Sequence, residues 1–128
     1  MLMLDTHIVV ALLDGALSER ERELITHDEL GVSDIVLWEI AKLVDLGRLE
    51  LDLDDVEFRV FLRGVAVFPI TIEIARASTR LDFRSDPADE IIAATAIVEQ
   101  APLLTRDRRI LKSKMVPRPG NDAREPRR

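Results

Sequence analysis

Four acids stand where a carboxylate has to be explained. Asp5 interrupts an apolar run, directly after Met1 to Leu4 and just before Ile8 to Leu13. Asp107 comes two residues after the apolar "PLLT" of residues 102–105. Glu39 has Ile35, Val36 and Leu43 as its neighbours one helical turn away, with Lys42 as the nearby polar contact. Asp89 shares its helical face with Ile92, Ala93 and Ala96. A carboxylate on such a face has to be paired, protonated or coordinated, because burying a lone charge is costly. Crowded together, four carboxylates repel, so some protonate or all share cations. Oxygen-only ligands select hard metals such as Mg2+ or Mn2+, whose common work is on phosphate esters. Hydrolysis of a phosphodiester is the chemistry this set implies.

Each acid also has a purely structural reading. Asp5 and Thr6 can cap a helix, Glu39 can pair with Lys42, and Asp107 can pair with the arginines beside it. In "SDPADEIIAATA", residues 85–96, Asp86 before Pro87 is a good helix start, and Asp89 can close a capping box. Glu90 reads as an exposed first-turn acid.

The elements that would position these acids alternate. Short apolar runs at 1–4, 30–33, 65–70 and 102–105 are of the kind a parallel sheet buries on both faces. Helical stretches are expected over 6–14, 18–27, 34–46, 53–63, 71–81 and 87–100, with a further short helix after Asp107. Pro69 marks the third strand as ending there or lying at an edge. The alternation predicts a helix-covered α/β sandwich. In such sheets the active crevice lies beyond the carboxyl ends of the strands, where Asp5 and Asp107 fall. The alanines at 93, 94 and 96 would let their helix approach the sheet closely and carry Asp89 toward that rim.

Composition fits one domain: 47% of the residues are hydrophobic, enough for a sizeable core. There is no Cys, hence no thiol nucleophile and no Cys-based zinc site, and only His7 and His27 offer imidazole. No apolar segment approaches membrane-spanning length and no basic flank precedes the first apolar run, so a cytoplasmic protein is expected. The net charge of −6 conceals a split. From Arg106 to Arg128 nine basic residues face three acids, a local charge of +6, while the first 105 residues carry nine bases against 21 acids, or −12. The basic segment holding Arg106, Arg108, Arg109 and Lys112 reads on charge alone either as a solubilising end or as a contact for nucleic-acid phosphates.

Taken in order, "LDTH" at residues 4–7, "SDIVLWEIAKLVDLGRLEL" at 33–51, "FPIT" at 68–71, "DPADEIIAATA" at 86–96 and "LLTRDRRI" at 103–110 resemble a PIN-domain ribonuclease of the VapC toxin type. No single motif is decisive, but five in register are strong. The resemblance implies a PIN-like three-layer α/β/α sandwich with a short central parallel sheet over residues 1–116, followed by a polar tail, 117–128, expected to fray. It implies a metal-dependent endoribonuclease using Mg2+ or Mn2+, with Asp5, Glu39, Asp89 and Asp107 as both catalytic and metal-binding residues. Thr6, Ser33, Asp86 and Thr105 would support them. Homodimerisation and inhibition by a cognate VapB-type antitoxin are implied as well. The sequence departs from the family pattern after "DP", where an aromatic residue and then Asp-Arg are common but Ala88, Asp89 and Glu90 stand. Two other readings stay open: a PIN-fold RNA-processing nuclease without a toxin role, and a noncatalytic PIN-like binding module. A response-regulator-like phosphoacceptor would need a lysine after its last core strand, where Arg106 and Arg108 stand nearest.

Overall fold

The computed structural model describes residues 1–120. Four parallel strands, β1 (Leu2–Leu4), β2 (Leu30–Ser33), β3 (Val65–Phe68) and β4 (Leu103–Leu104), form one sheet in the order β3-β2-β1-β4. Helices α1 (Thr6–Asp14) and α2 (Glu19–Thr26) lie between β1 and β2, and α3 (Asp34–Asp45) and α4 (Val56–Arg63) between β2 and β3. Then α5 (Ile72–Ser78) and α6 (Pro87–Glu99) return the chain to β4, and α7 (Arg108–Lys112) follows it. Helices cover both faces of β1, β2 and β4, where Leu2, Met3, Leu4, Val32, Leu103 and Leu104 are all buried, whereas β3, expected to be buried on both faces, leaves Ala66 and Val67 exposed because it lies at the edge. β3 lies at the sheet edge and ends before Pro69, which has no N–H for a further ladder bond.

The strand order decides where chemistry can happen. The chain leaves β1 toward β2 and β3, then returns to add β4 on the other side of β1. The connections diverge between β1 and β4, so a crevice opens at the carboxyl ends of these two strands. Asp5 follows β1 there, and Thr105 and Asp107 follow β4. The Asp5 N–H still donates to the Leu104 carbonyl at 3.1 Å, which locks the two exits in register.

Small residues set the close packing behind this crevice. Ala93, Ala94 and Ala96 are fully buried on α6, which packs on α5, α3 and β2. Gly31 serves the same purpose in β2: a Cβ there would sit 2.8 Å from the Phe68 ring and 2.9 Å from the sulfurs of Met1 and Met3. α6 ends at Gln100, whose φ of 54° is left-handed and therefore strained for a side chain with a Cβ. That tight turn delivers the chain into β4 within a few residues.

The last described residues are held to the body. The Leu103 N–H donates to the Pro117 carbonyl at 2.9 Å, covering the outer edge of β4, and Arg20 reaches the Pro119 carbonyl at 3.3 Å. The segment expected to fray from residue 117 thus starts with residues that hydrogen-bond to β4 and α2. Residues 121–128 of the expected tail lie outside the described residues.

Candidate active site

The rim is built from strand exits and helix starts. Asp5 is only 2% exposed and stands at the N-cap of α1. Its Oδ1 accepts the Thr6 N–H at 2.7 Å, and its Oδ2 accepts the Thr105 hydroxyl. The Thr105 hydroxyl oxygen in turn accepts the Asp107 N–H at 3.0 Å. One threonine thus ties the β4 exit to the acid at the β1 exit. The Thr6 hydroxyl donates to Glu39 Oε1, linking the first turn of α1 to the second turn of α3. Both threonines are buried, so each hydroxyl has a fixed partner. Ser33 caps α3, accepting the Ile35 N–H at 3.3 Å, and so orients the helix that carries Glu39.

The structural alternatives fare unevenly. Glu39 makes no ion pair with Lys42 among the described residues; it accepts from Thr6 instead. Asp107 does cap a helix, its Oδ1 accepting the N–H groups of Arg109 at 2.8 Å and Ile110 at 3.2 Å, so it does not depend on its arginine neighbours. Asp86 occupies the N-cap of α6, but its exposed side chain makes no capping hydrogen bond, contrary to expectation. Pro87 at the first helical position has no N–H, and the two acids of the same first turn hold Ser85. Asp89 Oδ2 accepts the Ser85 hydroxyl at 3.0 Å, and Glu90 Oε2 accepts the Ser85 N–H at 3.0 Å. The capping box expected of Asp89 is thereby displaced by one residue, with Glu90 reaching back to the residue before the cap. Ser85 was not among the expected site residues, although its spacing of four from Asp89 was visible.

Electrostatics link the acids. Burial pushes the carboxyl of Asp5 above its ordinary value; the Thr105 and Thr6 hydrogen bonds and nearby His7 oppose this, and Asp107 reinforces it. Glu39 is raised by burial and by the charges of Asp89 and Asp5. Asp89 is raised by burial and by Asp5, Asp107 and Asp86. Asp5, Glu39 and Asp89 are thus each raised by burial first and also by the charge of a neighbouring acid, the repulsion that crowding predicts. Among the described residues no three Asp, Glu or His side chains close into a tight metal cage. An all-carboxylate rim of this kind suits a hard dication that keeps part of its water shell, since such an ion needs only one or two protein carboxylates.

The basic segment divides. The Arg106 guanidinium lies against Glu21, with Nε to Oε2 at 2.8 Å and Nη2 to Oε1 at 2.7 Å, and also reaches the Ala16 carbonyl at 3.2 Å. It fastens α2 to the β4 exit and is engaged in the fold, whereas Arg108 and Lys112 are exposed on α7. The fork holds the Glu21 carboxyl down to about 2. Replacing Arg106 by Ala is expected to cost about 1 kcal/mol, a modest figure because the guanidinium is 47% exposed. A depressed carboxyl stabilises above its unfolded value of 4.5, and that stabilisation is lost as pH falls toward about 2. Denaturant titrations at neutral pH and near the lower limit should therefore show the Arg106→Ala penalty shrinking with acid.

The fold and the rim now stand beside known proteins. A PIN-domain family model matches residues 2–114. The chain belongs to the PIN-domain family. Ribonuclease VapC22 of Mycobacterium tuberculosis is 34% identical over 123 residues, spanning 91% of this chain and 94% of that protein. Among solved structures, a toxin–antitoxin complex from Klebsiella pneumoniae matches with a TM-score of 0.67 at 20% identity, covering 88% of this chain and 91% of that one. VapBC2 from Rickettsia felis, bound to a DNA fragment from their promoter, matches with a TM-score of 0.70 at 17% identity, covering 91% of this chain and 95% of that one. The PIN fold expected from the motifs is thus the fold found, and its parallel sheet puts the acids of four separate segments on one rim.

Proposed function

We propose that this PIN-domain protein is a metal-dependent endoribonuclease, the toxin of a toxin–antitoxin pair, cutting RNA phosphodiester bonds at the rim of Asp5, Glu39, Asp89 and Asp107. The observation that carries the reading is the concentration of negative charge at the rim: burial raises Asp5, Glu39 and Asp89, the charges of Asp89 and Asp5 raise Glu39 further, those of Asp5 and Asp107 raise Asp89 further, and a dication would relieve that charge. The likeness to the ribonuclease VapC22 supports RNA as the substrate, and the toxin–antitoxin complexes among the solved relatives support an antitoxin as the partner. Mg2+ or Mn2+ at these carboxylates would polarise a phosphoryl oxygen and acidify water for in-line attack.

The chain's own residues prepare that chemistry. Thr6 and Thr105 fix one oxygen each of Glu39 and Asp5, so neither carboxylate has to reorganise when substrate arrives. Asp107 is held by two backbone N–H groups at the start of α7. Arg108, Arg109 and Lys112 on that helix bring positive charge to the edge of an acidic site, where they would meet the RNA backbone. Arg106 is left out of this set because Glu21 already engages it.

Residues 1–116 form the catalytic domain in this reading, and an RNA substrate places its work in the cytoplasm. A homodimer is part of the same reading, as the family resemblance implies. An antitoxin would inhibit by setting an Arg against the acidic rim, since guanidinium and carboxylate pair in bidentate fashion. The deciding experiment incubates the purified protein with RNA in Mg2+, in Mn2+ and in chelator, alongside thermal melts. Cleavage should require the metal, and metal at a hundred times its dissociation constant should add about 2.7 kcal/mol of stability. Equal cleavage in chelator, or a melting temperature blind to both metals, would exclude this reading.

A further inference from the structure

Ser85 holds three contacts that the acidic quartet does not account for. Its hydroxyl donates to Asp89 Oδ2 at 3.0 Å, and its N–H donates to Glu90 Oε2 at 3.0 Å. The same hydroxyl oxygen lies 3.4 Å from Arg109 Nη1, a long contact from α7. The serine stands outside α6, ahead of the N-cap Asp86 and the helix-starting Pro87, so both acids of the first turn reach backward to it. Asp86, by contrast, gives α6 no side-chain cap.

We infer that Ser85 is a positioning residue: its hydroxyl fixes the carboxylate of Asp89 at the rim, and Glu90 fixes Ser85. The chemistry favours this division. A hydroxyl has one proton, and here the carboxylate receives it, which leaves lone pairs to accept from Arg109. With Oδ2 so held, Asp89 keeps one set rotamer and presents its other oxygen without a rotamer search. Glu90 stands where the family pattern commonly carries Arg. Its carboxylate is turned to the Ser85 backbone, so the added negative charge is drawn away from the rim and converted into a brace for the loop. The positive partner comes instead from α7, through Arg109 and the same hydroxyl.

This inference rests on the proposed metal-dependent site, and its test separates the two. Groups that orient a metal-holding carboxylate typically change metal affinity or activity by about 10–100-fold when lost. Ser85→Ala should therefore weaken Mn2+ binding, read by electron paramagnetic resonance, by about tenfold, and lower kcat similarly while KM for RNA moves less. Ser85→Thr keeps the hydroxyl and should restore both. Circular dichroism establishes that each variant is folded, and a crystal structure of Ser85→Ala should show Asp89 in more than one rotamer. A folded Ser85→Ala protein with Mn2+ affinity and kcat within twofold of wild type would overturn the role of Ser85 alone. A wild type that neither binds Mn2+ nor cuts RNA would overturn the metal site and the positioning role together.

Discussion

Replacing Asp5 by Asn should lower RNA cleavage by roughly 10²–10³-fold, the scale on which loss of one fixed electrostatic group acts at a reacting centre, while making the metal-free protein more stable. The variant keeps the volume and the acceptor that Oδ1 offers to the Thr6 N–H, and its amide can donate to the Thr105 hydroxyl. What it removes is a charge buried at 2% exposure. Burial raises the folded-state pKa of Asp5 above 3.8, so just above that pH the folded protein holds more protons than the unfolded chain. Stability of the metal-free wild type then falls as pH rises through this window. Asn cannot ionise, so its advantage is present at neutral pH and disappears below the unfolded value of 3.8. Melting curves in chelator at both pH values, with cleavage assays in Mn2+, read the two effects separately. A variant that cuts RNA as fast as wild type would remove Asp5 from the chemistry, whatever its stability.

The second large effect separates Asp89 from Asp86, two acids three residues apart. Asp89→Asn should reduce cleavage by a factor in the same range of roughly 10²–10³ and weaken metal binding, because it takes a charge out of the shared field. Asp86→Ala should do little to either. A helix cap that works through its side chain costs about 1 kcal/mol when lost, but Asp86 makes no such hydrogen bond and is exposed. Its removal also lessens repulsion on Asp89, so stability should stay within about 0.5 kcal/mol of wild type, the span usual for surface changes. The reverse pattern, a dead Asp86→Ala and an active Asp89→Asn, would place the third acid of the site one turn earlier on α6.

The acids and the elements that carry them could be read along the chain. Asp5 and Asp107 stood out because an acid at the end of an apolar run is local information, as is the 3.6-residue spacing that set Glu39 and Asp89 beside apolar faces. The sheet was legible for the same reason: the continuous apolar run Leu2–Leu4 is a strand buried on both faces, while the run Val65–Phe68 is an edge strand whose Ala66 and Val67 are exposed, a difference the run itself does not carry. The family motifs then put these pieces in register. None of this information concerns which side chain faces which. Thr6 reaches Glu39 across 33 positions, Thr105 reaches Asp5 across 100, and Arg106 reaches Glu21 across 85. Such pairings arise only after the parallel sheet brings β2 and β4 to the two sides of β1, because a parallel order lets residues far apart in the chain share one rim. Charge along the chain is equally blind to partners: a basic run reads as one nucleic-acid surface, yet the fold sets its first member, Arg106, against Glu21 of α2. Which acid caps α6 was also beyond the chain's own pattern. "DP" satisfies every local rule for a capping aspartate, and only the position of Ser85 between two first-turn acids decided that Glu90 would brace the loop and leave Asp86 exposed.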